Sequence, residues 1–177
     1  DRPRLHPGRE DRRDRRRRKT ERVKETEMLI SEKDQETLRN HFEENLTDSV
    51  EMVMFTEKES PLIIPGKQPC ETCAQTEQLL EEVANLSDKL TLTVHDISSA
   101  ADEAASHGID RVPAFVVKGA ARGHMRFFGI PSGYEFSSFI NDLVDASTGL
   151  TDLSEETREF LQSLTRDVSI KVFTTPS

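Results

Sequence analysis

Between residues 32 and 148 the spacing of apolar side chains switches repeatedly between a helical and a strand period, and few folds accept that order. Ser31 and Asp34 resemble a capping box with Asp in place of the usual Glu. Leu38, Phe42 and Leu46 then recur at helical spacing, so a helix is expected over about 32–45. Val50–Thr56 (VEMVMFT) is a short β-type run expected to be buried on both faces. From Cys70 to about Ser87 the helical period returns, with Leu79, Leu80, Val83 and Leu86 inward. Leu90–Asp96 (LTLTVHD) alternates as a strand does. Residues 98–107 read as a short Ala-rich helix stopped by Gly108. Ala114–Lys118 and residues 124–129 are two strands joined closely enough for a hairpin. Gly133 and Glu135 open a last helix that buries Phe136, Phe139, Ile140, Leu143 and Val144. The order is α-β-α-β-α-β-β-α. Helical crossovers favour parallel pairing among the first three strands, and the hairpin adds one antiparallel strand. The class is α/β, a central mixed four-stranded sheet flanked by helices.

The 177-residue chain carries 24 Lys+Arg and 33 Asp+Glu, a net charge of −9, unevenly spread. Residues 1–27 hold 10 Arg, 2 Lys and 7 acidic residues, a net of +5, which leaves −14 for the rest. Leu5 and Val23 are the only apolar residues in that stretch, so a disordered Arg-rich tail is expected over 1–27. The run DRRDRRRRK interleaves acids with its arginines and holds no aromatic to stack on bases. The acidity of the remainder argues against nucleic acid as its main partner. Met28, directly before the helix-start signal, is a sensible true start of the working protein. No apolar stretch follows the arginines as a secretory signal requires, and none approaches the roughly 18 residues of a membrane span, so no membrane partner is expected.

Residues 57–69 contain three prolines and a glycine and read as a loop, with Leu62, Ile63 and Ile64 expected to lie against the body. Past residue 148 the pattern starts over. Leu153-Ser154-Glu155 echoes Ile30-Ser31-Glu32, Phe160, Leu161 and Leu164 give another amphipathic helix, and residues 168–174 (VSIKVFT) align with Val50–Thr56 at an offset of 118. Two matches in order favour an internal repeat cut off after its first strand over a C-terminal helix and strand of chance similarity. The expected organisation is a tail (1–27), one domain (28–148), and a linker with the first helix and strand of a second unit (149–177).

Cys70-Glu71-Thr72-Cys73 contains both cysteines of the chain. On a first helical turn that spacing brings the sulfurs to one side, close enough for a small disulfide ring. Free N–H groups and the helix dipole there favour a thiolate at Cys70, which would attack a disulfide, leaving Cys73 to resolve the mixed disulfide. The same spacing also serves as half of a zinc site, with His41, His95, His107 and His124 as the available further ligands, or arises from incidental cysteines. Val112-Pro113 leads into the third strand. An ordinary trans proline is tolerated there; a cis bond would turn the loop sharply and expose the Val112 backbone to an extended peptide.

Taken together, these features resemble the thioredoxin/glutaredoxin superfamily: CxxC opens the first crossover helix, and Val-Pro precedes the strand of the terminal ββα half, 43 residues after Cys70. The FGIPSGYEF stretch at 128–136, the opening helix and the closing VSIKVFTTPS resemble the N-terminal unit of the two-unit protein disulfide oxidoreductases, the glutaredoxin-like proteins of archaea and bacteria. The resemblance covers about residues 28–177. It implies a thioredoxin fold followed by the beginning of a second thioredoxin-like unit, a cis Pro113, disulfide exchange on protein or small-thiol substrates, and electrons from a thioredoxin-reductase-like flavoprotein. Cys70 and Cys73 would be catalytic and Val112 and Pro113 substrate-binding, with no bound cofactor or metal; the missing signal and a reactive rather than structural cysteine pair lead to an expected cytoplasmic location. Two features depart from the family. The 57–69 loop is longer than its usual strand-to-cysteine connection, and a carboxylate, Glu71, stands beside the nucleophile and opposes its ionisation. Two other functions compete: a docking module with a vestigial CxxC, and a zinc-binding module.

Overall fold

The computed structural model describes residues 28–58 and 69–173. The expected tail over 1–27 and Leu62, Ile63 and Ile64 lie outside the described residues. Helix α1 (Glu32–Asn45) starts where its cap predicts: the Ser31 hydroxyl accepts from the Asp34 N–H at 3.2 Å and donates to the Asp34 carboxylate at 2.7 Å. Just before it, the N–H groups of Leu29 and Ile30 donate to the two carboxylate oxygens of Glu82, at 3.0 and 2.9 Å. Strand β1 (Val50–Thr56) buries every residue except Glu51, as a central strand covered on both faces must. Helix α2 (Cys73–Ala84) and strand β2 (Leu90–Asp96) follow, then the short helix α3 (Ala101–Ser106) and the hairpin strands β3 (Ala114–Lys118) and β4 (Met125–Phe128). Helix α4 (Tyr134–Thr148) ends at Gly149, whose φ of 64° is the left-handed conformation that glycine adopts without a Cβ clash.

The strands lie in the order β2-β1-β3-β4. Strands β1 and β2 are parallel, with Val50 opposite Leu90 and Thr56 opposite Asp96. The expectation that the third strand also runs parallel fails: β3 is antiparallel to β1, Phe55 facing Ala114 and Glu51 facing Lys118. Length bears on it. Helix α3 has 6 residues and is therefore about 9 Å long, whereas β1, with 7 residues, rises about 23 Å. Helix α3 alone does not carry the chain back down the sheet, and β3 enters from the end at which β2 stopped. Helix α3 also starts later than its sequence pattern suggests, because Asp96 gathers the preceding turn. Its carboxylate accepts from Ser98 N–H at 2.9 Å and its carbonyl from Ser99 and Ala100 N–H, both at 3.0 Å.

The alternation along β1 divides the core. Val50, Met52 and Met54 join Phe42 of α1, Leu79, Leu80 and Val83 of α2, and Phe139, Ile140 and Leu143 of α4 on one face. Val53 and Phe55 pack with Val116, Ala104 and Ile109 on the other, under α3. The rings of Phe115 and Phe127 stack at 4.7 Å and both meet Phe139 edge-on, which ties the hairpin to α4. Gly119 sits where the hairpin turn approaches α4, and any side chain there would strike the Ala146 carbonyl.

Past Gly149, Ser154 caps helix α5 (Glu155–Gln162), which forms as expected. The expected strand over 168–174 does not: residues 168–173 pair with no strand, and Val168, Ile170, Val172 and Phe173 are exposed. A strand is defined by its ladder, and without a partner its backbone groups are left to water. Thr174 lies outside the described residues.

Candidate functional site

Cys70 and Cys73 form a disulfide, with sulfurs 2.05 Å apart and Cα atoms 5.5 Å apart. Cys70 is half-buried and lies just ahead of α2, in a turn with Glu71 and Thr72. Cys73 is the first residue of the helix and only 3% exposed. The helix therefore opens at the second cysteine, one turn later than its apolar spacing suggests. The first turn is braced by Thr76, fully buried, whose N–H and hydroxyl both donate to the Thr72 carbonyl at 2.9 and 2.7 Å. Glu71 is exposed between the two cysteines.

Strand directions decide what lies near this tip. In a parallel β1–α2–β2 unit the helix runs back against its strands, so the N-terminus of α2 lies at the C-terminal end of β1. Strand β3 is antiparallel to β1 and begins at that same end, with Ala114 opposite Phe55. The disulfide and the Val112-Pro113 corner thus share one end of the sheet. The Val112–Pro113 bond is cis. The Pro113 carbonyl accepts from the Gly129 N–H at 2.8 Å, and Val112, half-buried, packs on the core under α3.

Two further groups order this end and carry no sequence signature of their own. The Asp96 carboxylate accepts from the N–H groups of Lys58 and Ser98, at 3.1 and 2.9 Å, and these bonds hold its pKa below the ordinary value. Lys58 follows β1 directly, so Asp96 ties the chain just past β1 to the end of β2. Phe55 is the second. Its ring stacks on His95 at 5.7 Å and meets His107 at 6.2 Å, which in turn meets His124 edge-on at 5.7 Å. Burial, then the nearby Lys118 and His124, push the His107 pKa down. His95 approaches Glu103 at 3.5 Å.

No zinc ligand set is assembled among the described residues. The histidines at 95, 107 and 124 are engaged with Phe55, Glu103 and one another, and His41 lies against Asn45 on α1. Among the described residues no group of three or more His, Cys, Asp or Glu is arranged to hold a metal, and both sulfurs are bonded to each other. The buried polar residues are Thr56, Thr76 and Ser147, so no carboxylate is buried among the described residues beside Cys73.

Residues 62–141 match the family model described as a thioredoxin domain. No curated protein matches the chain. Among solved structures, the protein disulfide oxidoreductase of Aeropyrum pernix is 27% identical with a TM-score of 0.62, over 76% of this chain and 55% of that one. The alkylhydroperoxide reductase AhpF of Enterococcus faecalis is 23% identical with a TM-score of 0.63, over 76% of this chain and 61% of that one. The separate structure of the N-terminal domain of AhpF gives 22% and 0.64, over 78% of this chain and 62% of that one. The chain thus spans 55–62% of the length of these chains. No helix among the described residues is long and apolar enough to cross a membrane.

Proposed function

We propose that this chain, whose folded domain is a member of the thioredoxin/glutaredoxin superfamily, exchanges disulfides with protein or small-thiol substrates through Cys70 and Cys73. The observation that carries the reading is the Cys70–Cys73 bond at the tip of α2, on the sheet end where β3 begins.

The chemistry runs from the reduced pair. The Cys70 thiolate attacks one sulfur of the substrate disulfide, a new S–S bond forms as the old one breaks, and the departing sulfur leaves as a thiolate that takes up a proton. The Cys73 thiolate then attacks the Cys70 sulfur and releases the second substrate thiol. Two electrons pass to the substrate, and the protein is left with the Cys70–Cys73 disulfide. The assignment of roles follows exposure: a half-buried Cys70 is open to a visiting disulfide, and Cys73 at 3% exposure meets only a partner already attached to its neighbour.

Val112 and Pro113 supply the docking edge in this scheme. An extended peptide hydrogen-bonds to the Val112 backbone and lays its disulfide against Cys70. Regeneration of the dithiol falls to a thioredoxin-reductase-like flavoprotein, which returns two electrons to the Cys70–Cys73 bond. An exchangeable pair, rather than a structural disulfide, suits the reducing cytoplasm.

Insulin reduction driven by dithiothreitol tests the reading. The wild-type chain should accelerate precipitation of the insulin B chain, and Cys70→Ser should fall to the uncatalysed rate. Activity that survives Cys70→Ser would mean that the pair is not the working group.

A further inference from the structure

We propose that Arg111 selects substrates, favouring peptide disulfides flanked by Asp or Glu; this deepens the oxidoreductase reading above and rests on it. Arg111 directly precedes Val112, the docking edge in that reading. Its guanidinium carbon lies 5.0 Å from the centroid of the Phe128 ring, and its Nε donates to the Asp110 carboxylate at 3.0 Å. Phe128 is the last residue of β4 and is paired with Ala114, so this platform adjoins the start of β3. The ring is 45% exposed and the arginine side chain 70% exposed, although it is held from two sides.

Such a hold has a consequence for recognition. A free surface arginine loses its rotamer freedom when it meets a ligand. One already laid on an aromatic face has lost part of it beforehand. With Nε taken by Asp110, the two terminal nitrogens of the fork remain the groups that a carboxylate meets in bidentate fashion. The rest of the surface sharpens the contrast. Residues 28–177 carry a net −14, and Glu71, between the cysteines, has the opposite sign. The net charge of this body favours a basic peptide over an acidic one. An acidic side chain beside the cystine meets, at the docking edge, the two terminal nitrogens of Arg111 that Asp110 leaves free.

Matched short peptides test this, each with one cysteine as a 2-thiopyridyl mixed disulfide and flanked on both sides by Asp or by Lys. The pre-reduced full chain reacts once: Cys70 takes the peptide sulfur, and released pyridine-2-thione is followed by absorbance. Because Glu71 is common to every protein compared, the ratio of Asp-peptide to Lys-peptide rate across Arg111 variants isolates Arg111. Arg111→Ala should lower that ratio about two- to fivefold, the size of an exposed ion pair, Arg111→Lys should lose less, and Arg111→Glu should shift it by roughly tenfold towards the Lys peptide. All three differences should shrink in high salt. An unchanged ratio in Arg111→Glu, with all proteins reacting normally with neutral 2,2′-dithiodipyridine, overturns the proposal and leaves the oxidoreductase reading standing. A wild-type protein no faster than Cys70→Ser with that neutral disulfide overturns both.

Discussion

A single charge between two cysteines sets the terms for the first sulfur. Glu71 is exposed and next to Cys70. A carboxylate there opposes formation of a neighbouring thiolate, while the N-terminal end of α2 favours it. Removing the charge without changing the shape leaves only the favourable influence. Glu71→Gln should therefore speed alkylation of reduced Cys70 by iodoacetamide at neutral pH by roughly twofold, the effect of an exposed like-charge neighbour. It should also move the rate–pH profile towards lower pH. A superimposable profile would mean that solvent screens Glu71 fully. Thr76 works at the same scale through geometry: its two bonds to the Thr72 carbonyl close the turn that presents Cys73.

Between elements, the join that holds β1 to α4 is polar and buried. The Ser147 hydroxyl oxygen accepts from the N–H groups of Thr47 and Asp48, both at 2.9 Å, and donates to the Asp48 carbonyl at 2.6 Å. One side chain thus satisfies the turn that feeds the central strand. Ser147→Ala should cost about 1–3 kcal/mol, because two backbone donors lose their acceptor in one step; the urea midpoint should fall with an unchanged m-value, and a shift within error would show that water replaces the hydroxyl at no cost. Periodicity made most elements readable in the sequence: the all-apolar centre of Val50–Thr56, the helical stripe of Leu79, Leu80 and Val83, and the Phe136–Val144 face each report burial directly. The cysteine pair was equally legible, since thiols at that spacing have few uses. The direction of β3 was not, because periodicity reports which residues are buried and not which way the chain crosses the sheet, and the turn held by Asp96 shortens a helix that composition alone extends to ten residues. Arg111 on Phe128 and His107 on Phe55 were hidden for the same reason: residues far apart in sequence meet only once the sheet order is known.

Across the whole molecule, the core closes before the chain finishes. Helix α4 completes the larger apolar face, and Gly149 ends it. Every described residue from Leu150 to Phe173 is exposed except the half-buried Thr157, Phe160 and Phe173 at 64% and 90% among them. An amphipathic helix with its apolar stripe in water adds nothing to the stability of the domain beside it, since burial against a partner element is where helical stability mostly arises. Removal of residues 150–177 should therefore leave the unfolding free energy from urea titration within about 0.5 kcal/mol of the full chain, the range of surface changes away from packed groups. It should also leave the reaction of reduced Cys70 with 2,2′-dithiodipyridine unchanged. A loss of several kcal/mol would place Phe160, Leu161 and Leu164 against the domain and make the segment part of its core. Intact stability with lost insulin reduction would instead assign the segment to handling of protein substrates.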